Sequence, residues 1–213
     1  MVSEARRQTR ANGARTKVKI LDAAELLFGA RGFDGVSLRD ITDEAGVTLA
    51  LASYHFGTKE SLFEEVVARR AAVLGEGRLK RLEALDAAGV RDILDAFLAP
   101  LFEKAGSRDP GWPAYFRVLA RLGEGTQWLD LLHRYFDPVG QRFIDALLAA
   151  APGADRAAVS RGFALMLHAM LAVASQNGRV STLTGGAVRA DDLDAAYAAL
   201  LDFSTAGMQA LMP

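Results

Sequence analysis

The segment from Ser37 to Leu62 constrains the fold most, because its pattern predicts two short helices joined by a tight turn. The hydroxyl of Ser37 can cap the first helix, and Asp40, three residues later, can complete a capping box. Gly46 can adopt the positive φ that a sharp corner between two helices needs. Thr48 is placed to cap the second helix. The segment therefore predicts a helix-turn-helix, an arrangement that can place its second helix in a groove of duplex DNA.

The second predicted helix, here called the recognition helix, carries small or aromatic side chains and little charge. We expect Leu51 and Phe56 to be buried, so that the other side chains face largely outward. Hydroxyl and methyl groups can then read base edges, whereas phenolic, imidazole and ammonium groups suit phosphate oxygens. The expected base contacts are Thr48, Leu49, Ala50 and Ser53. The expected phosphate contacts are Tyr54, His55 and Lys59.

Residues from about Thr16 to about Leu62 resemble the DNA-binding domain of the TetR/AcrR family of bacterial transcriptional regulators. The motifs that carry the resemblance, in family order and spacing, are Ile20-Leu21-Asp22-Ala23-Ala24, Arg31-Gly32-Phe33, Ser37-Leu38-Arg39-Asp40-Ile41, Ala45-Gly46-Val47, Tyr54-His55-Phe56 and Lys59-Glu60-Ser61-Leu62. The recognition segment is similar to that of a PsrA-like subgroup, whose members respond to fatty acyl ligands. The chain departs from the commoner family pattern at Leu49, Ala50 and Ser53, where Lys, Gly and Tyr are usual.

The resemblance implies an all-α protein with an N-terminal three-helix DNA-binding domain over residues 1–60. A larger helical domain over residues 61–213 is expected to bind an effector and to dimerise. The implied function is a regulator, most simply a repressor, that binds a palindromic operator in double-stranded DNA as a homodimer. By the same resemblance Arg39 reaches a base, and Ser37 lies beside it at the start of its helix.

The charge distribution of the chain indicates which parts of it could contact nucleic acid. The net charge of -1 argues against an indiscriminately basic nucleic-acid binder, although basic residues cluster near the N-terminus. Arg6, Arg7 and Arg10 are expected in a solvated, disordered tail, with a phosphate-contacting arm as the alternative. Arg15 and Lys17 begin the first predicted helix and are expected near phosphates.

The sequence also indicates a cytoplasmic protein. Cysteine is absent, which excludes disulfides and thiolate sites, and no N-terminal apolar stretch resembles a signal peptide. The longest apolar run, Phe163 to Ala174, is about half of the ~20 residues needed to cross a bilayer, so no membrane span is expected.

Helical periods recur between glycine or proline breaks, and no run alternates convincingly at period two, so about nine or ten helices are expected. The first is predicted over Thr16–Ala30, and a long fourth helix from Thr58 to about Leu85 would join the two domains. Loops are predicted over Gly106–Pro113 and Gly178–Ala190.

The last two long predicted helices carry more apolar surface than one small domain can bury, which favours a four-helix dimer interface about a two-fold axis. The alternative is that these residues form intramolecular core. The expected interface residues are Phe163, Leu167, Met170 and Leu171 on one helix and Tyr197, Leu201, Ser204 and Met208 on the other.

The middle of the chain concentrates bulky aromatic residues, which suits a pocket for a small apolar effector, although core packing explains each of them singly. Arg117 and Arg121 lie one turn apart and could hold a carboxylate or phosphate, with a solvated charged face as the alternative. The expected ligand contacts are Phe97, Phe102, Trp112, Tyr115, Phe116, Arg117, Leu119, Arg121, Trp128, Leu132, Phe136, Phe143, Met166 and Met170.

No catalytic or metal-binding pattern is present in the sequence. It lacks a glycine-rich phosphate loop, a Gly-x-Ser-x-Gly elbow and a His-Glu-x-x-His helix, and it contains three histidines. We therefore expect no enzyme activity, no metal and no cofactor. Two rival classes stay open: an effector-independent DNA-binding dimer, and a small-molecule-binding protein whose helix-turn-helix has lost its function.

Overall fold

The helical periods of the sequence form helices throughout the part of the chain that the structure describes. The structure, a computed structural model, describes the backbone of residues 2–123 and 125–212, with the side chains of Gln8 and of residues from Ala11 onward. Within these ranges the protein is all-α, as predicted, with eleven α-helices, a 3₁₀ turn and no strand. The helices are α1 (Val2–Arg31), α2 (Leu38–Ala45), α3 (Leu49–Phe56), α4 (Lys59–Glu83), α5 (Val90–Ala105), α6 (Gly111–Leu122), α7 (Leu129–Tyr135), α8 (Asp137–Ala150), α9 (Arg156–Ala174), α10 (Arg179–Leu183) and α11 (Leu193–Ala210), and the 3₁₀ turn is Thr126–Trp128.

Three boundaries differ from the predictions. Helix α1 begins at Val2 and not at Thr16, because the preceding residues are mostly good helix formers without a proline. The backbone there is helical where we predicted a disordered tail, and the side chains of Arg6, Arg7 and Arg10 lie outside the described part. Helix α6 begins at Gly111, since a proline at position 113 is tolerated in a first helical turn. The short helix α10 occupies part of the predicted loop over 178–190.

The first helix of the helix-turn-helix has the predicted N-terminal and C-terminal caps. The amide and hydroxyl of Ser37 donate to Asp40 Oδ2 at 2.8 and 2.5 Å, and the Asp40 amide donates back to Ser37 Oγ at 3.1 Å. Gly46 has φ 65°, the left-handed conformation expected at the corner. Helix α3 then packs on the core of α1 and α2 through Ala52 and Phe56. Helices α1 to α3 therefore form the N-terminal domain that the motifs predicted.

Helix α6 joins the two parts of the molecule by packing directly against α1. Gly29 lies so close to α6 that a Cβ atom there would be 2.6 Å from the carbonyl oxygen of Ala114. Arg121 Nη1 donates to the carbonyl oxygens of Phe28 and Gly29, both at 3.0 Å, and Arg117 Nε donates to Gly29 O at 3.3 Å. Both arginines thus donate to carbonyl groups in the last turn of α1, where helical carbonyls lack the full set of intrahelical partners.

A buried charged cluster reinforces the same junction. Glu25 of α1 is 1% exposed and accepts hydrogen bonds from Arg70 Nε at 2.9 Å and Nη2 at 2.6 Å. Arg70, on α4, also donates to Asp109 before α6 and lies 4.4 Å from the centre of the Trp112 ring. Burial opposes the charge of this guanidinium, but its hydrogen bonds to the Glu25 and Asp109 carboxylates outweigh that effect and raise the pKa of Arg70. Charged contacts therefore fix α1, α4 and α6 together.

Helices α9 and α11 pack on each other in the C-terminal part of the chain. Among the described residues, α9 is the one helix whose length and composition would suit a membrane span, with 28% of it buried. The predicted apolar run of Phe163 to Ala174 is thus embedded in a longer apolar helix of 19 residues. Its contacts with α6, α8 and α11 are those of a helix within a helical domain.

Candidate DNA-binding face and effector cavity

The exposed side of α3 is short and uncharged. Ala52 and Phe56 face the core, and Tyr54 is 82% exposed. The prediction that Leu51 is buried is wrong, since it is 39% exposed; Ala52, one turn before Phe56, takes the inward position. The predicted base-contacting residues that lie exposed on this helix or at its cap are Thr48, Leu49, Ala50 and Ser53. Such a face can approach base edges closely because no long side chain separates the helix from them.

The residue that precedes α3 differs in one detail from the prediction. Thr48 occupies the N-cap position with φ −81° and ψ 151°, but its side chain makes no capping hydrogen bond. The extended backbone at Thr48 is sufficient to start the helix after the Gly46 corner. The hydroxyl, which is exposed, therefore stays outside the helix-capping interactions.

Two further predicted contacts lie at the start of α2. Arg39 is exposed and forms no ion pair with any side chain that the structure describes, which leaves its guanidinium available to a partner. Ser37 is exposed too, but its hydroxyl already donates to Asp40. These hydrogen bonds from Ser37 hold the pKa of Asp40 below its ordinary value. Ser37 is thus occupied by the capping box, whereas Arg39 is not occupied.

The two lysines predicted to contact phosphates both have internal partners. Lys59 Nζ donates to the carbonyl oxygens of Phe33 and Val36, each at 3.0 Å, and lies 4.1 Å from the centre of the Phe33 ring. Lys17 Nζ lies 2.6 Å from the carboxylate oxygen Oε2 of Glu65. An ammonium group has three donors, so Lys59 keeps one N–H beyond the two that fasten the α1–α2 connection to α4.

The end of α3 lies beside the N-terminal half of α1. The His55 ring is half-buried and packs edge-on against Tyr54, with ring centres 5.2 Å apart. A Cβ atom on Gly13 would be 3.9 Å from His55 Cε1. The helical extension of α1 that the sequence did not predict therefore passes next to the predicted phosphate contacts.

A cavity of about 540 Å³ opens between α4, α5, α6, α7, α8 and α9. This volume is within the range of ligand sites, roughly 300 to 1,000 Å³. Its wall includes five of the predicted ligand residues, namely Phe97, Leu119, Leu132, Phe136 and Met170. Leu101 and Ile144 add to the apolar wall, and the wall also contains Arg78, a residue that the sequence did not single out.

The remaining predicted ligand residues lie elsewhere. Phe102, Trp112, Tyr115, Phe116, Phe143 and Met166 are buried in the packed core and do not line this cavity. The hydroxyl of Tyr115 donates a hydrogen bond to Val67 O at 3.0 Å, and burial raises the pKa of Tyr115.

The other predicted ligand residues contact the N-terminal part of the chain. Arg117 and Arg121 bind the end of α1, as described above, and do not form an anion site. Trp128 packs between Phe33 and Phe63 of the N-terminal part, with ring centres 4.9 and 4.6 Å away. Aromatic composition alone does not distinguish a pocket from a core, because both bury the same side chains.

The predicted dimer residues mostly face the interior of their own chain. Phe163, Met170, Leu201, Ser204 and Met208 are buried in the single chain. Leu167 and Leu171 line the cavity with Phe163, and Tyr197 donates a hydrogen bond to Asp95. The opposite face of the two helices is exposed and apolar: Leu165 of α9 is 71% exposed and Phe203 of α11 is 74% exposed. Small exposed residues flank Phe203 at helical spacing, namely Ala199, Ala206, Gly207 and Ala210.

A helix-turn-helix with an exposed recognition helix, joined to a helical domain with a ligand-sized cavity, defines a ligand-binding class of bacterial regulator. Two protein families that match this chain are also families of regulators. The family described as "Bacterial regulatory proteins, tetR family" matches residues 20–66, and "Tetracyclin repressor-like, C-terminal domain" matches residues 95–207. The chain belongs to the TetR family of transcriptional regulators.

Individual relatives support the same family. The chain is 41% identical over 68 residues to the probable HTH-type transcriptional regulator YttP of Bacillus subtilis, covering 32% of this chain and 31% of that protein. It is 28% identical over 155 residues to the HTH-type transcriptional regulator BetI of Agrobacterium fabrum, covering 71% and 72%. The crystal structure of the putative transcriptional regulator SCO4942 from Streptomyces coelicolor is similar in fold, with a TM-score of 0.62, 21% identity and coverage of 93% of this chain and 98% of that one.

Family membership settles several predictions at the level of the family. TetR regulators bind DNA operators, act as dimers and are not enzymes. The predicted TetR/AcrR resemblance is therefore confirmed. The assignment to a PsrA-like subgroup, which rests on the recognition segment alone, stays a prediction.

Proposed function

We propose that this protein is a ligand-responsive repressor that binds a palindromic operator as a homodimer and leaves it when a small apolar effector fills the cavity. Residues 1–60 would form the DNA-binding domain, and residues 61–213 the effector-binding and dimerisation domain. The observation that carries the proposal is that helices of the cavity wall also hold the DNA-binding domain. The PsrA-like recognition segment favours a fatty acyl compound as the effector.

On DNA, α3 would enter the major groove with Thr48, Leu49, Ala50 and Ser53 toward the bases, and Arg39 would reach a neighbouring base from α2. The proposed phosphate contacts are Tyr54, His55, Lys59 and Lys17, and Ser37 would lie beside Arg39 at the start of α2. The proposed base contacts at Thr48, Leu49, Ala50 and Ser53 are supported by their exposure, because each of these residues is accessible to a partner. Lys17 would exchange its exposed ion pair with Glu65 for a phosphate, an exchange of similar charge interactions in water.

For the dimer, we propose a four-helix interface that uses the outer faces of α9 and α11. Large exposed apolar side chains on a monomer commonly mark such an interface, and Leu165 and Phe203 are the largest on these two helices. The small residues around Phe203 would let two copies of α11 approach closely. The residues predicted from sequence lie mostly behind this face, because Leu167 and Leu171 line the cavity, Tyr197 is partly exposed and the others are buried.

Two helices connect the cavity to the DNA-binding domain. Helix α6 contributes Leu119 to the cavity wall, and its Arg121 holds the end of α1. Helix α7 contributes Leu132 to the same wall, Phe136 follows the helix directly and also lines the cavity, and Trp128, just before the helix, packs on Phe33 and Phe63. An effector that moves α6 or α7 would therefore move the recognition helix. A coupling of about 1–3 kcal/mol would change operator affinity about 5- to 150-fold.

The test is a set of anisotropy titrations with palindromic duplexes taken from DNA beside the protein's own gene. We expect binding to one duplex in preference to random DNA, and weakening when fatty acids or acyl thioesters are added. Specific binding without any response would indicate an effector-independent dimer, and ligand binding without a specific duplex would indicate a helix-turn-helix that has lost its function.

Arg39 sharpens this test. Arg39→Ala should weaken operator binding by about 1–3 kcal/mol and leave random DNA nearly unaffected, because a base contact discriminates sequence and a phosphate contact does not. Arg179→Ala, which removes an exposed arginine of α10 in the other domain, is the matched control and should leave both affinities unchanged. Equal losses on operator and random DNA would reassign Arg39 to the backbone.

A further inference from the structure

A buried arginine lies in the wall of the effector cavity. Arg78, near the C-terminal end of α4, is 5% exposed. Its Nε donates to the carbonyl oxygen of Phe97 at 2.9 Å, and its guanidinium carbon lies 3.8 Å from the centre of the Phe97 ring. Its Nη2 lies 3.5 Å from the sulfur of Met170. The guanidinium is thus anchored along one edge, against residues that themselves line the cavity.

The positive charge of Arg78 has no acidic partner among the side chains that the structure describes. Burial lowers its pKa to about 10, which still leaves the guanidinium charged at neutral pH. A thioether is a weak acceptor, and Nη1 donates no hydrogen bond to any residue the structure describes. Arg70, the other strongly buried arginine on α4, has Glu25 and Asp109 as partners. Arg78 therefore bears a desolvated charge that a bound anion could neutralise.

The rest of the cavity is apolar in its interior and polar toward solvent. Asp137, the acidic residue of the lining, is half-exposed and contacts His133 at 3.1 Å. Arg156 is mostly exposed and pairs with Asp145. Both therefore have partners outside the cavity, whereas leucine, isoleucine, phenylalanine and methionine side chains surround Arg78. A ligand that complements this arrangement has one anionic end and an alkyl body.

We propose that the cavity binds amphipathic carboxylates and that the Arg78 guanidinium binds the carboxylate, with the alkyl chain along the apolar wall. The inference deepens the proposed effector function and rests on the same cavity. It also moves the anion site from Arg117 and Arg121, which hold α1, to an arginine on the helix that connects the two domains. A planar guanidinium with a free Nη1 and one further N–H on Nη2 can bind a carboxylate through two hydrogen bonds.

The experiment compares three probes of equal chain length by calorimetry on the full-length protein without DNA: octanoate, 1-octanol and octyltrimethylammonium. We expect octanoate to bind about 10- to 100-fold tighter than 1-octanol, as a charge-assisted hydrogen bond contributes that much, and the cation to bind weakest. Equal affinity for octanoate and 1-octanol, or a preference for the cation, in the wild-type protein would overturn the proposal without any variant being needed.

Variants of Arg78 test whether its guanidinium is the group that binds the carboxylate. Arg78→Met should abolish the preference for octanoate and retain binding of 1-octanol, and Arg78→Lys should keep part of the preference. Arg81→Met is the matched control, because Arg81 lies one turn further along α4, pairs with Glu103 and does not line the cavity. Its preference should equal that of the wild type. An Arg78→Met protein that folds and still prefers octanoate overturns the assignment. If Arg78→Met does not fold, an Arg78→Lys protein whose preference for octanoate over 1-octanol equals that of the wild type and of Arg81→Met overturns it instead.

These outcomes are separable from those of the proposed function. Selective octanoate binding through Arg78 without any operator complex would retain the anion site and remove the repressor. Operator release by a neutral or cationic compound, together with no preference for octanoate, would retain the repressor and remove the anion site.

Discussion

The cations beside the recognition helix and the cation inside the cavity have opposite environments. Lys59 and Lys17, close to the proposed DNA face, are bound by the protein's own carbonyl groups and by Glu65. Arg78, in the cavity, has no acidic partner in the described part of the chain. An exposed cation can exchange partners with little change in free energy, because water solvates every intermediate arrangement. A buried cation without a partner retains its desolvation cost until an anion arrives.

The comparison suggests how each site is regulated. Near the proposed DNA face, Lys59 and Lys17 have partners in the unbound domain, so we propose that DNA binding changes which acceptor each of them contacts. In the cavity, Phe97 and Met170 contact the guanidinium of Arg78, and in our proposal the carboxylate of the ligand neutralises its charge. The first arrangement suits rapid, salt-dependent association, and the second suits a switch that responds to one class of molecule.

The largest expected effect tests whether a buried arginine needs its partner. Glu25→Gln should destabilise the protein by about 3–5 kcal/mol, because it leaves Arg70 and Arg69 without the carboxylate that lies between them. Urea unfolding measures the change. Asp22→Asn, which removes an exposed carboxylate bound to Arg69 alone, should change stability by at most about 1 kcal/mol. A loss below about 1 kcal/mol for Glu25→Gln would mean that buried guanidinium groups are tolerated here, and the contrast with Arg78 would disappear.

These contacts explain where the sequence was informative. The capping box of Ser37 and Asp40 and the corner at Gly46 are local, within a few residues, and the structure has each of them. The predicted burial of Leu51 failed because helix α3 is short and either Leu51 or Ala52 could face inward; the direction is set by packing against α1 and α2.

The cavity depends on contacts distant in sequence. Arg121 binds carbonyl groups more than 90 residues earlier, and Arg78 is 92 residues from Met170, so neither environment can be inferred from neighbouring residues. Phe97 and Phe143 illustrate the same limit: their rings pack 4.9 Å apart, yet only Phe97 lines the cavity. The sequence predicted a region rich in aromatic residues, and tertiary packing determines which of these residues line the cavity and which form the core.

The next expected effect concerns Lys59, which we propose acts both inside the protein and on DNA. Lys59→Met should destabilise the protein by about 1–3 kcal/mol, because the carbonyl groups of Phe33 and Val36 lose a charged donor. It should also weaken binding to every duplex and lower the salt dependence by roughly one unit, since one phosphate contact is lost.

Lys80→Met provides the control for Lys59, because Lys80 lies on the same helix, α4, near its other end. It should leave both stability and salt dependence nearly unchanged. Destabilisation of Lys59→Met with an unchanged salt slope would restrict Lys59 to its internal role. Its ammonium group would then stabilise the fold, as Arg70 does, without binding DNA.

The smallest expected effect tests whether the ion pair of Lys17 and Glu65 is exchanged on DNA. Both side chains are 40% exposed, so Glu65→Gln should change stability by at most about 1 kcal/mol. DNA binding should become slightly tighter at low salt, because Lys17 no longer leaves a carboxylate when it contacts a phosphate. Lys17→Met should instead weaken binding and lower the salt slope by roughly one unit, and the double variant should behave like Lys17→Met. If Glu65→Gln weakens DNA binding, the ion pair of Lys17 and Glu65 positions α1 against α4 for DNA binding. The role of Lys17 would then be its contact with Glu65 and not a contact with phosphate.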